Sequence, residues 1–179
     1  MTGNVPETLI EQGYAARREG RIAEARECFA EAVEMCRESS DQVLLASALS
    51  GLGQIERDLG LLDAALKCYQ EAVSLHRRLD RPLVLAHSIR HVADILRNQV
   101  QLALASSNYE EALAIYRAHA ETPPLDLANA IRGYALLKAN VGDKQGAAKL
   151  WQEAGVLYAA AGVEAGVAES EAQVARLIA

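Results

Sequence analysis

The 179-residue sequence predicts an all-α fold, an α-α superhelix (solenoid) of four helix pairs closed by one C-terminal capping helix. Three observations predict it. First, one spacing recurs. Gly53, Gly60, Ala65, Tyr69 and Ala72 stand at offsets 0, +7, +12, +16 and +19. The same offsets give Gly13, Gly20, Ala25, Phe29 and Ala32, then Ala93, Ala105, Tyr109 and Ala112, then Ala135, Gly142, Ala147, Trp151 and Ala154. The anchors Gly13, Gly53, Ala93 and Ala135 are therefore 40, 40 and 42 residues apart. Second, residues at +12, +16 and +19 share one helical face. A single helical hairpin cannot bury such a face, whereas each stacked neighbour covers the last and extends one core. Third, 51% of residues are hydrophobic but only 4% are aromatic, and Ala and Leu dominate. That composition suits closely packed helices better than strands.

The elements follow in order. Repeat one, about residues 5–40, opens at Pro6, a residue suited to a first helical turn, and breaks at Gly20. Its second helix carries Ala25, Phe29, Ala32, Met35 and Cys36 on the apolar side, and Asp41 is a candidate cap for the next helix. Repeat two, about 41–80, breaks at Gly60. Repeat three, about 81–121, opens at Pro82 and has Val100 where its neighbours have glycine, so a different turn conformation is expected there. Repeat four, about 122–162, matches repeat three from Pro124 onward, which places the two extra residues of the longer step between Ala118 and Pro123. Asp143 is its candidate inner cap. Residues 163–178 form the capping helix, with apolar Val163, Val167, Val174 and Ile178. Glu171 stands where earlier repeats have Leu49, Ile89 and Ile131, and a polar residue there befits a terminal, solvated helix.

Composition limits the function classes. A net charge of −6 argues against a general nucleic-acid surface, which is normally basic. No apolar stretch approaches the roughly 20 residues that span a bilayer, and no apolar run after a basic segment marks a signal peptide. Cys28, Cys36 and Cys68 lack metal or disulfide spacing, and free thiols suit a reducing, cytoplasmic compartment. No catalytic arrangement of Ser, His, Asp or Cys and no glycine-rich phosphate loop is present, so no enzyme and no cofactor are expected. His87 and His91 are four residues apart with Asp94 one turn on, but no further ligand makes this a metal site.

The Gly–Gly–Ala–aromatic–Ala ladder resembles the tetratricopeptide repeat (TPR) family across residues 6–179. The longer period, near 40 instead of the family's usual 34 or so, resembles its kinesin-light-chain and Leu-Gly-Asn-type arrays. The resemblance implies a right-handed superhelix that binds protein segments along its concave side without catalysis. It further implies that first-helix offsets −6, −3, +1, +4 and +5 face that groove. Those columns supply the candidate binding residues Arg17, Ser50, Gln54, Arg57, His87, Arg90, Asp94, Arg97, Asn98, Asn129, Arg132 and Asn140. Arginine's planar fork suits carboxylate or phosphate, and the asparagines can bond a peptide backbone, so an acidic protein or peptide segment is the expected partner. Gly51 and Gly133 would remove side chains beside the groove and let a ligand approach. The alternative for the arginines is pairing with Asp94, Asp58 and Glu56 on solvated helices. The alternative for the whole chain is a self-association or sensory module, monomer or homodimer, with Val5, Leu9 and Ile10 as a dimer face.

Overall fold

A computed structural model of the protein describes residues 5–178; residues 1–4 and 179 of the expected 1–179 array lie outside them. Nine α-helices and no strand occur among the described residues. They are α1 (Val5–Arg18), α2 (Ile22–Ser39), α3 (Gln42–Asp58), α4 (Leu62–Arg78), α5 (Pro82–Asn98), α6 (Leu102–Ala118), α7 (Pro124–Asn140), α8 (Lys144–Ala160) and α9 (Glu164–Ile178). The chain forms two compact units, Met1–Ser88 and Ile89–Ala179, with the division inside α5.

In the first unit α2 packs on α1, α3 on both, and α4 on α3. Ala25, Ala32, Ala46 and Ala48 are fully buried, so these backbones approach closely around Phe29. The Phe29 ring meets Tyr14 edge-on, with centroids 4.9 Å apart. It also lies over Gly13 and Gly51: a Cβ on Gly51 would come within 2.2 Å of the ring edge. Gly51 is thus not an opening for a ligand, because the chain's own aromatic fills the space. Replacing Gly51 with Ala should destabilise this unit by about 2 kcal/mol despite the roughly 1 kcal/mol that alanine gains in a helix. Urea unfolding checks this, and Phe29→Leu in the same chain should recover most of the loss.

In the second unit α7 packs on α6, α8 on α7 and α9 on α8. Tyr109 and Trp151 occupy the place held by Phe29 in the first unit, and both are fully buried. The +12 and +19 alanines beside them, Ala105, Ala112, Ala147 and Ala154, are fully buried as well.

The inner turns share one geometry. Gly20, Gly60 and Gly142 all have positive φ, between 77° and 84°. Each turn closes with paired bonds back into the helix, such as Gly20 N to Arg17 O and Arg21 N to Ala16 O, a Schellman-type ending. Val100 does not use a different conformation. It adopts φ 61° with the same pair of bonds, Val100 N to Arg97 O and Gln101 N to Leu96 O. A β-branched residue is strained there, yet the ladder of its neighbours holds it. Changing Val100 to Gly should therefore stabilise the protein by about 1 kcal/mol, read as a raised denaturation midpoint.

Side-chain caps appear where the sequence places them. Asp41 accepts from Val43 N and Leu44 N at 3.1 and 3.0 Å, and Asp143 accepts from Gly146 N at 2.8 Å. The two extra residues fall in the link between α6 and α7, where Thr122 Oγ1 donates to Tyr116 O at 2.8 Å. The three cysteines are free, and burial pushes each thiol up. Ile10, expected on an exposed patch, is buried in the first unit's core, and Leu9 packs against that core. Only Val5 of that trio is exposed.

Candidate functional site

The candidate binding residues all lie on α1, α3, α5 and α7, the first helices of their pairs. In the first unit the two arginines gather around an acid. Arg17 Nε donates to Asp58 Oδ2 at 2.8 Å, and Arg57 Nη2 stands 3.5 Å from Asp58 Oδ1. Asp58 at the end of α3 is thus shared between arginines of α1 and α3. Ser50 donates to Ala46 O at 2.9 Å, a back-bond into its own helix that leaves the hydroxyl a weaker outward donor. Gln54 and His87 are half-buried. Glu56 takes no part here: its nearly buried carboxylate accepts from Arg26 Nε on α2 at 2.8 Å.

The second unit builds a denser network. Asp94 is its hub, accepting from Tyr109 Oη at 2.6 Å and from Arg90 Nη1 at 2.9 Å. Arg90 Nη2 lies 2.8 Å from His91 Nε2. A guanidinium only donates, so Nε2 is the accepting nitrogen and the ring proton sits on Nδ1, facing Asp94 Oδ2 at 3.8 Å. His91 is therefore a buried member of this network. Among the described residues no three His, Cys, Asp or Glu side chains cluster to hold a metal. Arg97 hydrogen-bonds the Tyr109 hydroxyl, whose pKa burial and the Asp94 charge push well above the tyrosine range.

Arg132 on α7 is held in a two-pronged pair with Glu169 on α9, both bonds at 2.8 Å. Asn129 accepts from the Tyr158 hydroxyl at 2.9 Å. Burial pushes the Tyr158 hydroxyl pKa up, with Arg132 opposing the rise. Asn98 and Asn140, at the ends of α5 and α7, are exposed. Gly133 offers no ligand access either. A Cβ there would lie 2.7 Å from the Tyr109 ring and 2.9 Å from Asp94 Oδ1, so this glycine makes room for the Tyr109–Asp94 bond.

Sequence reasoning missed three participants, Tyr109, Tyr158 and Glu169. Glu169 was legible, because it continues the −6 column of Glu7, Ser47, His87 and Asn129. Tyr109 reads as a packing residue, and nothing in its spacing reveals that its hydroxyl reaches Asp94.

The tetratricopeptide repeat family model matches residues 4–78 and again 44–118, more than half of the chain. The chain belongs to the tetratricopeptide repeat family. No curated protein matches it. Among solved structures, a Podosopora anserina kinesin light chain with nearly identical TPR-like repeats is similar, at TM-score 0.75 and 17% identity over 96% of this chain and 84% of that one. BtubC (BKLC) from P. vanneervenii is similar at TM-score 0.71 and 19% identity, over 96% and 80% of the two chains. At such identities the likeness shows the fold, a TPR solenoid of the kinesin-light-chain kind. TPR folds generally mediate protein–protein interaction and are typically non-catalytic. No helix of this TPR protein is long and apolar enough to cross a membrane among the described residues.

Proposed function

We propose that the protein is a non-catalytic scaffold that binds an acidic protein segment on the arginine-bearing face of α5 and α7 in the second unit. One observation carries this reading. On α5, Arg90 and Arg97 are locked in place by Asp94 and Tyr109, yet the Nε donor of each is buried without an acceptor. A buried donor left unmade costs free energy, so the local balance favours an incoming anion that draws these guanidinium groups into fuller bonding. Because the side chains are already ordered, little conformational entropy is lost on binding. Asn98, next to Arg97 in sequence, and Asn140 at the end of α7 are exposed and suit the amides of a bound segment. The free thiols agree with work in the cytoplasm.

The test is fluorescence anisotropy with a labelled peptide of alternating Asp, Glu and Ser. Binding should weaken as salt rises. Arg90→Gln with Arg97→Gln should lower affinity by at least about tenfold, roughly 1.4 kcal/mol, with unchanged circular dichroism. Equal affinity in the double variant would overturn the reading.

A further inference from the structure

The structure assigns a second interaction surface, on α8 and α9, away from the arginine face. A groove of about 610 Å³ runs between these helices. Its walls include Trp151, Gly155, Val156, Val167, Val174 and Ile178. Val156 and Ile178 are 71% and 72% exposed, unusually open for large aliphatics on a packed helix pair. From Val167 to Ile178 the α9 wall extends about 16 Å, three turns of helix.

The chain itself shows what covers such a face. On α3 the corresponding residues Leu49 and Gly53 are buried beneath α4, whose Tyr69 ring would stand 3.0 Å from a Cβ on Gly53. On α7 the corresponding Ile131 and Ala135 are fully buried, with α8 packed on that helix. On α9 the same positions, Glu171 and Ala175, are exposed. An extended segment would bury backbone groups against helices whose own backbone is already bonded, whereas a helix satisfies itself. The fitting occupant is a helix.

Its chemistry differs from the chain's own second helices. Within each unit those helices are tied by an outer ion pair, Arg37 with Glu71 and Arg117 with Glu153, both at 2.9 Å. The arginine position, +24 from the anchor, reads Arg37, Arg77, Arg117 and then Ala159. Position +21 reads Glu34, Ser74, Ala114 and then Val156. The charged ladder stops at α8 and an apolar strip replaces it. Glu171 is the single charged residue among those lining the groove. We propose that the groove seats an amphipathic helix of a partner protein, one with an apolar residue in place of the ladder glutamate and a Lys or Arg facing Glu171.

The probe is a labelled synthetic peptide of residues 144–160, the α8 sequence, carrying Glu153→Leu. It should bind the full 179-residue chain saturably, and at least about tenfold more tightly than the peptide that keeps Glu153. Val156→Asp and Ile178→Asp, both on exposed positions, should each cut binding about tenfold with unchanged circular dichroism. Glu171→Lys should weaken it as well, through repulsion of the peptide's lysines, while Arg97→Gln leaves it unchanged. Equal binding of the two peptides, or indifference to Val156→Asp and Ile178→Asp, would overturn the proposal. So would a dimer of the free protein that Val156→Asp dissociates, since the occupant would then be a second copy.

Discussion

Trp151→Ala should destabilise the second unit by about 3–5 kcal/mol, the cost of deleting a large aromatic from a close-packed core. Trp151 is the largest of the fully buried side chains, lying between Ala147 and Ala154 on α8. The flanking alanines cannot move in to fill the space, because their backbones are already at helix-packing distance. The indole Nε1 has no acceptor, so part of the tryptophan's packing benefit is offset by a buried, unmade bond. Trp151→Phe should consequently cost much less, about 1–2 kcal/mol. Chemical denaturation of both variants separates the two contributions. An alanine variant as stable as the native chain would mean that this register is wrong.

Asp94→Ala should cost about 3 kcal/mol, near the lower end for breaking a buried ion pair. Its side chain is 19% exposed, and its loss strands the fully buried Tyr109 hydroxyl together with Arg90. Asp94→Asn keeps an acceptor for Tyr109 and should cost about 1 kcal/mol. The comparison matters for the proposed peptide face. Asp94 lies among the candidate binding residues, yet its bonds hold Arg90 and Tyr109, so it acts by positioning them. Stability should fall in the order native, Asn, Ala. Peptide affinity measured on the folded asparagine variant should stay equal or rise, because a competing negative charge has gone. A tenfold loss of affinity in that variant would instead mean that Asp94 itself grips the peptide.

The stacking frame was legible because it depends on residue size at fixed offsets. Ala65, Tyr69 and Ala72 declare their burial by type alone, and all three are buried. The cap at Asp143 was legible for a similarly local reason. The Val100 turn was not, since side-chain preference pointed one way and the hydrogen bonds of the flanking helices forced the other. The polar face was only half legible. Reading columns shows which residue types face outward, but Arg17 meets Asp58 across 41 positions and Arg132 meets Glu169 across 37. Such meetings depend on helix phase and rotamer, which no column displays. The two glycines at offset −2 misled for the same reason: Gly51 and Gly133 looked like absent side chains beside a groove, and each is a seat for an aromatic ring from another helix.

That seating makes the repeats non-interchangeable. Position −2 reads Glu11, Gly51, His91, Gly133 and Gln173 down the chain. Excising residues 41–80 would preserve helix phase and the remaining inner turns, yet it would deliver His91 to the place where Phe29 now lies on Gly51. The array is better regarded as a keyed set than as beads on a string. Loss of the second repeat by recombination would meet a steric bar at the new junction, even though the pieces are alike in length, turn and core.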